Sequence, residues 1–145
     1  MSIRYNIDPK LDFLVYIFEG ECTDREYFDL YHVIYINDKR RHHGMKVILD
    51  ITNGALNLDS GSLREAKQII ADNKAKGYPR DQLAILTTES GFNLLMKAFK
   101  ILAEELPMDL DLFYNPKDAI GWLMSAEDQE PSINFWQNVK LQRPK

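Results

Sequence analysis

The spacing of apolar and polar positions changes several times along the chain, and each change marks an element. Ile3 to Ile7 alternates apolar and polar residues, as an edge strand does. Asp8-Pro9-Lys10 interrupts it with turn chemistry, and Phe13 to Phe18 follows as an unbroken apolar run ended by Gly20. The two segments predict an antiparallel hairpin whose second strand is the more buried. The period then lengthens to that of a helix. Thr23-Asp24-Arg25-Glu26 has the form of a capping box, and behind it Tyr27, Tyr31 and Ile34 share one face, widened by Phe28 and Tyr35. This spacing predicts a helix over 24–38.

A polar stretch from Asp38 to Gly44 leads to a strand at Met45 to Asp50. Residues 51–59 read as a loop, with Asn53-Gly54 as its turn signal. Ser62-Leu63-Arg64-Glu65 reads as a second capping box, backed by an apolar face of Leu63, Ala66, Ile69 and Ile70, and Gly77-Tyr78-Pro79 stops that helix. Leu83 to Thr87 is an apolar strand of the kind covered on both faces. A third amphipathic helix carries Phe92, Leu95, Met96, Phe99 and Leu102, and Pro107 closes it. Leu110 to Tyr114 is the last strand, after which Asn115-Pro116 supplies a cap and a first-turn proline for a helix with Ala119, Ile120 and Leu123.

The order is ββαβαβαβα, an α/β fold with a mostly parallel central sheet, an antiparallel N-terminal edge and helices packed on the sheet. Residues 1–124 form this domain. Residues 125–145 read as a linker, Ala126 to Pro131, followed by a short terminal helix with Ile133, Trp136 and Val139 on one side and Phe135 beside them. That helix either packs on its own domain or is exchanged in a homodimer.

Composition narrows the function classes. The chain has 145 residues, 45% of them apolar, enough for one domain with a real core. Eighteen Lys and Arg against twenty-two Asp and Glu give a formal net charge of −4, which argues against nonspecific binding to nucleic acid or anionic membrane. Basic charge is concentrated at Lys39-Arg40-Arg41-His42-His43 with Lys46, either a solvated connection or a contact for an acidic partner or a lipid phosphate. No apolar stretch reaches the length of a spanning helix, and the first residues lack the apolar core of a signal peptide. One cysteine, Cys22, points to a reducing, cytoplasmic setting.

Candidate chemistry gathers at the carboxyl ends of the parallel strands, where open α/β sheets place their sites. The segment with Asp50, Asn57, Asp59, Ser60 and Ser62 is the richest. Ser60 and Ser62 stand at the predicted amino end of a helix, where they either cap it or accept a phosphate that the helix dipole would tolerate. Enzymatic motifs are missing: no His-Glu-x-x-His, no paired Cys, no Gly-x-Ser-x-Gly elbow and no phosphate loop. Neither a cofactor nor a metal is expected. Tyr27 and Tyr31 on the first helix, with Phe92, Met96 and Phe99 on the third, either pack the core or line an apolar pocket.

The succession of Val47-Ile48-Leu49-Asp50, Asp59-Ser60-Gly61-Ser62-Leu63, Leu83-Ala84-Ile85-Leu86-Thr87 and Asn115-Pro116-Lys117-Asp118-Ala119-Ile120 resembles a STAS domain, over residues 3–124. The likeness is to stand-alone bacterial STAS-like proteins, which share features with lipid-binding CRAL-TRIO domains. It implies a non-catalytic module that binds a protein partner, as anti-sigma-factor antagonists do, or a small apolar ligand. In the regulatory members the loop after the third strand holds Asp-Ser-Ser-Gly, and the second Ser is phosphorylated. Aligned on Asp59 that position is Gly61 here; aligned on the glycine it is Ser60, with Ser62 as the further candidate.

Overall fold

The computed structural model describes the backbone of residues 2–57, 60–105 and 109–142, and their side chains except at positions 57, 60, 94, 97–99, 101–103 and 105. The strands are β1 (Ser2–Asp8), β2 (Phe13–Thr23), β3 (Lys46–Asn57), β4 (Gln82–Leu86) and β5 (Asp109–Phe113). The helices are α1 (Asp24–Asn37), α2 (Ser60–Ala75), α3 (Glu89–Glu105), α4 (Pro116–Leu123) and α5 (Ala126–Leu141). They build one five-stranded sheet in the order β1-β2-β3-β4-β5, antiparallel between β1 and β2 and parallel from β2 onward. This is the α/β architecture expected from the hydrophobic pattern.

Because successive parallel strands lie side by side in chain order, right-handed crossovers put α1, α2 and α3 on the same face. The last two helices cover the other face. Strand alternation sorts the core accordingly. Phe13, Val15, Ile17, Ile48, Ala84 and Leu86 pack with Ala119, Ile120 and Leu123 of α4 and Trp136 and Val139 of α5. Leu14, Tyr16, Phe18, Val47 and Leu49 turn the opposite way and meet Ile34 of α1.

Two local differences from the sequence reading have clear causes. Residues 51–57 continue β3, where a loop is expected, and pair with Glu19 to Thr23 across a bulge between Asp50 and Asn53. Asn53-Gly54 is not a turn. A Cβ at Gly54 would stand 2.6 Å from the Phe18 carbonyl oxygen and 2.7 Å from that of Gly20, so the glycine admits the close approach of β2. The segment Ala126 to Pro131 is likewise no linker. It forms the first turns of the 16-residue α5, with Pro131 inside the helix. Trp136 and Val139 hold α5 on its own sheet, and that apolar contact outweighs the hydrogen bond the proline cannot make.

Of the three helix starts that the sequence marks with caps, α1 and α4 are capped as expected, whereas α2 begins at Ser60 and takes Ser62 into its first turn. Thr23 Oγ1 accepts from the Glu26 amide at 3.1 Å, and Asn115 Oδ1 accepts from the Lys117 amide at 2.9 Å. Among the described residues, no helix is long and apolar enough to cross a membrane.

Candidate functional site

A cavity with a volume of about 370 Å³ lies between the sheet and the pair α1–α2. That is within the roughly 300–1,000 Å³ of small-molecule sites, at the lower end. Its floor is Val47 and Leu49 of β3, Leu83 and Ile85 of β4 and Leu110 of β5, all residues of one strand parity. Tyr27, Phe28 and Tyr31 of α1 form one wall, and Leu63, Ala66, Ile69 and Ile70 of α2 form the other. Polar contacts at the rim join the two helices. Arg25 of α1 is bonded to Glu65 of α2 at 2.9 and 3.1 Å, Ser62 donates to Asp24, and Asn73 donates to the Tyr31 hydroxyl at 3.5 Å.

One end of the cavity is polar, built where the chain enters β3 and β4. Arg41 is 7% exposed and its guanidinium is held by Asp81, with Nη2 donating to Oδ2 at 2.7 Å. Asp81 Oδ1 also accepts from the backbone amides of Gly44 at 2.8 Å and Met45 at 3.0 Å. The Tyr35 ring lies 4.2 Å from the Arg41 guanidinium carbon, a cation–π contact in a desolvated place. His43 stacks between Tyr35 and Tyr78, with ring centroids 4.5 and 4.1 Å away, and its Nδ1 is 3.1 Å from the Tyr35 hydroxyl.

Charge states follow from this packing. Burial pushes the phenols of Tyr16, Tyr27 and Tyr35 well above their ordinary range, so all are neutral near pH 7. Burial also lowers the His43 imidazole, while its neighbour His42 is raised by the His43 carbonyl and by Asp12. Two residues of the cavity wall keep a buried polar atom with no hydrogen-bond partner, the Tyr16 hydroxyl and Arg41 Nε.

No family model, curated protein or solved structure matches this chain.

The candidate residues of the strand-end segment do not form one site. Asp50 and Ser62 belong to opposite faces of the sheet. The Asp50 side chain, 1% exposed, points to α5. Its Oδ2 accepts from Trp136 Nε1 at 2.8 Å and Lys140 Nζ at 3.3 Å, and its Oδ1 from the Thr52 amide and hydroxyl at 3.0 and 2.6 Å. All its acceptor capacity serves to hold the bulge of β3 and the last helix. Ser62 is 2% exposed inside the first turn of α2 and bonded to Asp24 rather than serving as the cap of that helix. Asn57 ends β3 and Ser60 opens α2, but their side chains, like all of Asp59, lie outside the described residues.

Of the pocket candidates, Tyr27 and Tyr31 line the cavity. Phe92 and Met96 do not, because α3 packs on β5 at the sheet edge; Phe92 meets the Tyr114 ring at 5.0 Å instead. The Phe99 side chain lies outside the described residues. Sequence reasoning missed the Arg41–Asp81–His43 cluster. A signal was present, since Arg41 and Asp81 each stand just before an apolar strand, but nothing local says that they pair. The basic connection is mostly engaged internally: Arg40 bonds Asp38 at 2.8 Å and His42 lies 2.9 Å from Asp12.

Proposed function

We propose that this protein is a non-catalytic binding module that takes a small apolar or amphipathic ligand in the cavity beneath α1 and α2. The observation that carries the reading is a volume of about 370 Å³ walled by the apolar face of α2 and the apolar floor of the sheet. Close-packed interiors hold few voids larger than a water molecule, and this volume equals that of roughly twelve liquid waters. An apolar space of that size beneath an amphipathic helix is an economical way to shield a hydrocarbon from water. The STAS-like resemblance of the sequence supports the same class of function, binding without chemistry. The buried thiol of Cys22 fits a cytoplasmic setting.

Calorimetric titration with dodecanol tests this reading. Wild type binds, and Ala66→Phe, which places a ring in the cavity, weakens binding at least tenfold while far-UV circular dichroism stays unchanged. Equal affinity for both proteins contradicts the reading.

A second reading, recognition of a protein partner or a second copy of the chain, is favoured by the outer face of α1. Val33 and Ile36, three residues apart on that face, are 50% and 81% exposed. Sedimentation of wild type and Val33→Glu/Ile36→Glu at several concentrations tests it. A concentration-dependent rise in mass, lost in the variant, supports an interface between copies. In this reading the Ser62 hydroxyl, buried and bonded to Asp24, is closed to phosphate control, and Ser60 stays the candidate by its sequence position alone.

A further inference from the structure

The cavity has a chemical direction, and that direction names its ligand more narrowly. Its floor along β3 to β5 and its α2 wall are apolar, whereas its charged lining residues all come from the strand-entry end and the last turn of α2. Among the described lining residues three are fixed cations, Arg41, Lys74 and Arg80, and the only acid is Asp81. This runs against the chain as a whole, whose formal net charge is −4. Asp81 is already committed to Arg41. Lys74 and Arg80 are exposed at the mouth and make no ion pair among the described residues. They stand on either side of the turn Gly77-Tyr78-Pro79, which also lines the cavity.

Arg41 Nε and the Tyr16 hydroxyl are buried in the cavity wall without partners and closed to water, so they lie behind the lining and do not meet a head group at the mouth. Two cations at the rim with no ion pair among the described residues, against one acid already held by Arg41, ask for an anion. The apolar remainder asks for a hydrocarbon chain, and the modest volume asks for one chain rather than two.

Resting on the binding function proposed above, we infer that the ligand is a single-chain carboxylate. Its head lies at the mouth between Lys74 and Arg80, facing the Arg41–Asp81 pair, and its chain runs under α2 over Leu49, Leu83 and Ile85. Charge-assisted contacts to a carboxylate are about twice as strong as neutral ones, so the head group sets the preference and the chain supplies the bulk of the affinity.

The test compares dodecanoate, dodecanol and dodecylammonium, each below its micelle concentration, by calorimetric titration of the full chain at low salt. Wild type is expected to bind dodecanoate about tenfold more tightly than dodecanol and dodecylammonium the most weakly. In Lys74→Glu/Arg80→Glu, whose two positions are exposed and outside the core, dodecanoate is expected to fall to the level of dodecanol. Dodecanol itself is expected to keep its wild-type affinity. Equal binding of acid and alcohol by wild type, or a preference that survives charge reversal, overturns the head-group assignment and leaves the cavity function standing. Absence of binding by all three ligands overturns both.

Discussion

Arg41 and Asp81 are joined at 2.7 Å across the polar end of the cavity, with the arginine side chain 2% exposed and the aspartate side chain 20% exposed. The pair fixes the entry of β3 as well as balancing a buried charge, because the same carboxylate binds the amides of Gly44 and Met45. Removing the acid alone leaves two amides without their acceptor and a buried guanidinium with only the neutral His42 carbonyl.

Asp81→Ala is therefore expected to lower stability by about 3–5 kcal/mol, the range for breaking a buried ion pair on one side. Urea denaturation measures it. A loss below about 1 kcal/mol would show that the pair is solvated in practice.

The neighbours His42 and His43 are expected to titrate on opposite sides of the ordinary imidazole value of 6.5. Burial holds the folded His43 value below that of the unfolded chain. Neutral His43 thus contributes stability that is present above pH 6.5 and declines as pH falls towards its lowered folded value. His42 has the reverse sign: its contribution is present below 6.5 and is lost as pH rises through its raised value. Following the ring C–H proton resonances of the two histidines against pH checks both directions, and midpoints on the same side contradict the packing of His43 between the two tyrosines.

Gly54 and Gly121 make a matched pair. A Cβ at Gly54 meets the Phe18 carbonyl oxygen at 2.6 Å, whereas one at Gly121 meets nothing within 4 Å. Gly54→Ala is expected to destabilise by at least about 1–3 kcal/mol through forced separation of β2 and β3. Gly121→Ala, within α4, is expected to stabilise by roughly 0.5–1 kcal/mol. Thermal denaturation of both variants gives the two signs directly.

The elements themselves were legible because period and caps agree with packing in most of the chain. Thr23 and Asn115 cap the helices that their sequence contexts announce. The site was less legible, for reasons that particular residues make plain. Asn53-Gly54 carries the same dipeptide whether the chain turns or a neighbouring strand comes close, and only the position of β2 decides between them. Asp50 shares a short segment with Ser62, yet strand parity sets it with Ile48 on the α5 face, so chain proximity misleads. The apolar stripe of Leu63, Ala66, Ile69 and Ile70 is visible in the sequence, but a stripe does not say whether its helix closes on the sheet or stands away from it.

Trp136→Phe tests the anchoring of α5. The indole N–H is the donor that Asp50 Oδ2 receives at 2.8 Å in the core, and phenylalanine leaves that oxygen with Lys140 alone. A loss of about 1–3 kcal/mol is expected on urea denaturation, the usual cost of an unmet buried acceptor. A neutral outcome would mean that Lys140 suffices.

The most direct test of the binding claim is a methyl proton–carbon correlation spectrum recorded as dodecanol is added. The methyl resonances of Leu49, Ile69, Ile70 and Leu83, which line the cavity beneath α1 and α2, are expected to shift together and to saturate. Those of Ile120 and Val139, packed on the opposite face of the sheet, are expected to stay where they are. Shifts confined to Ile120 and Val139, or no saturable shift among the cavity methyls, would contradict the account.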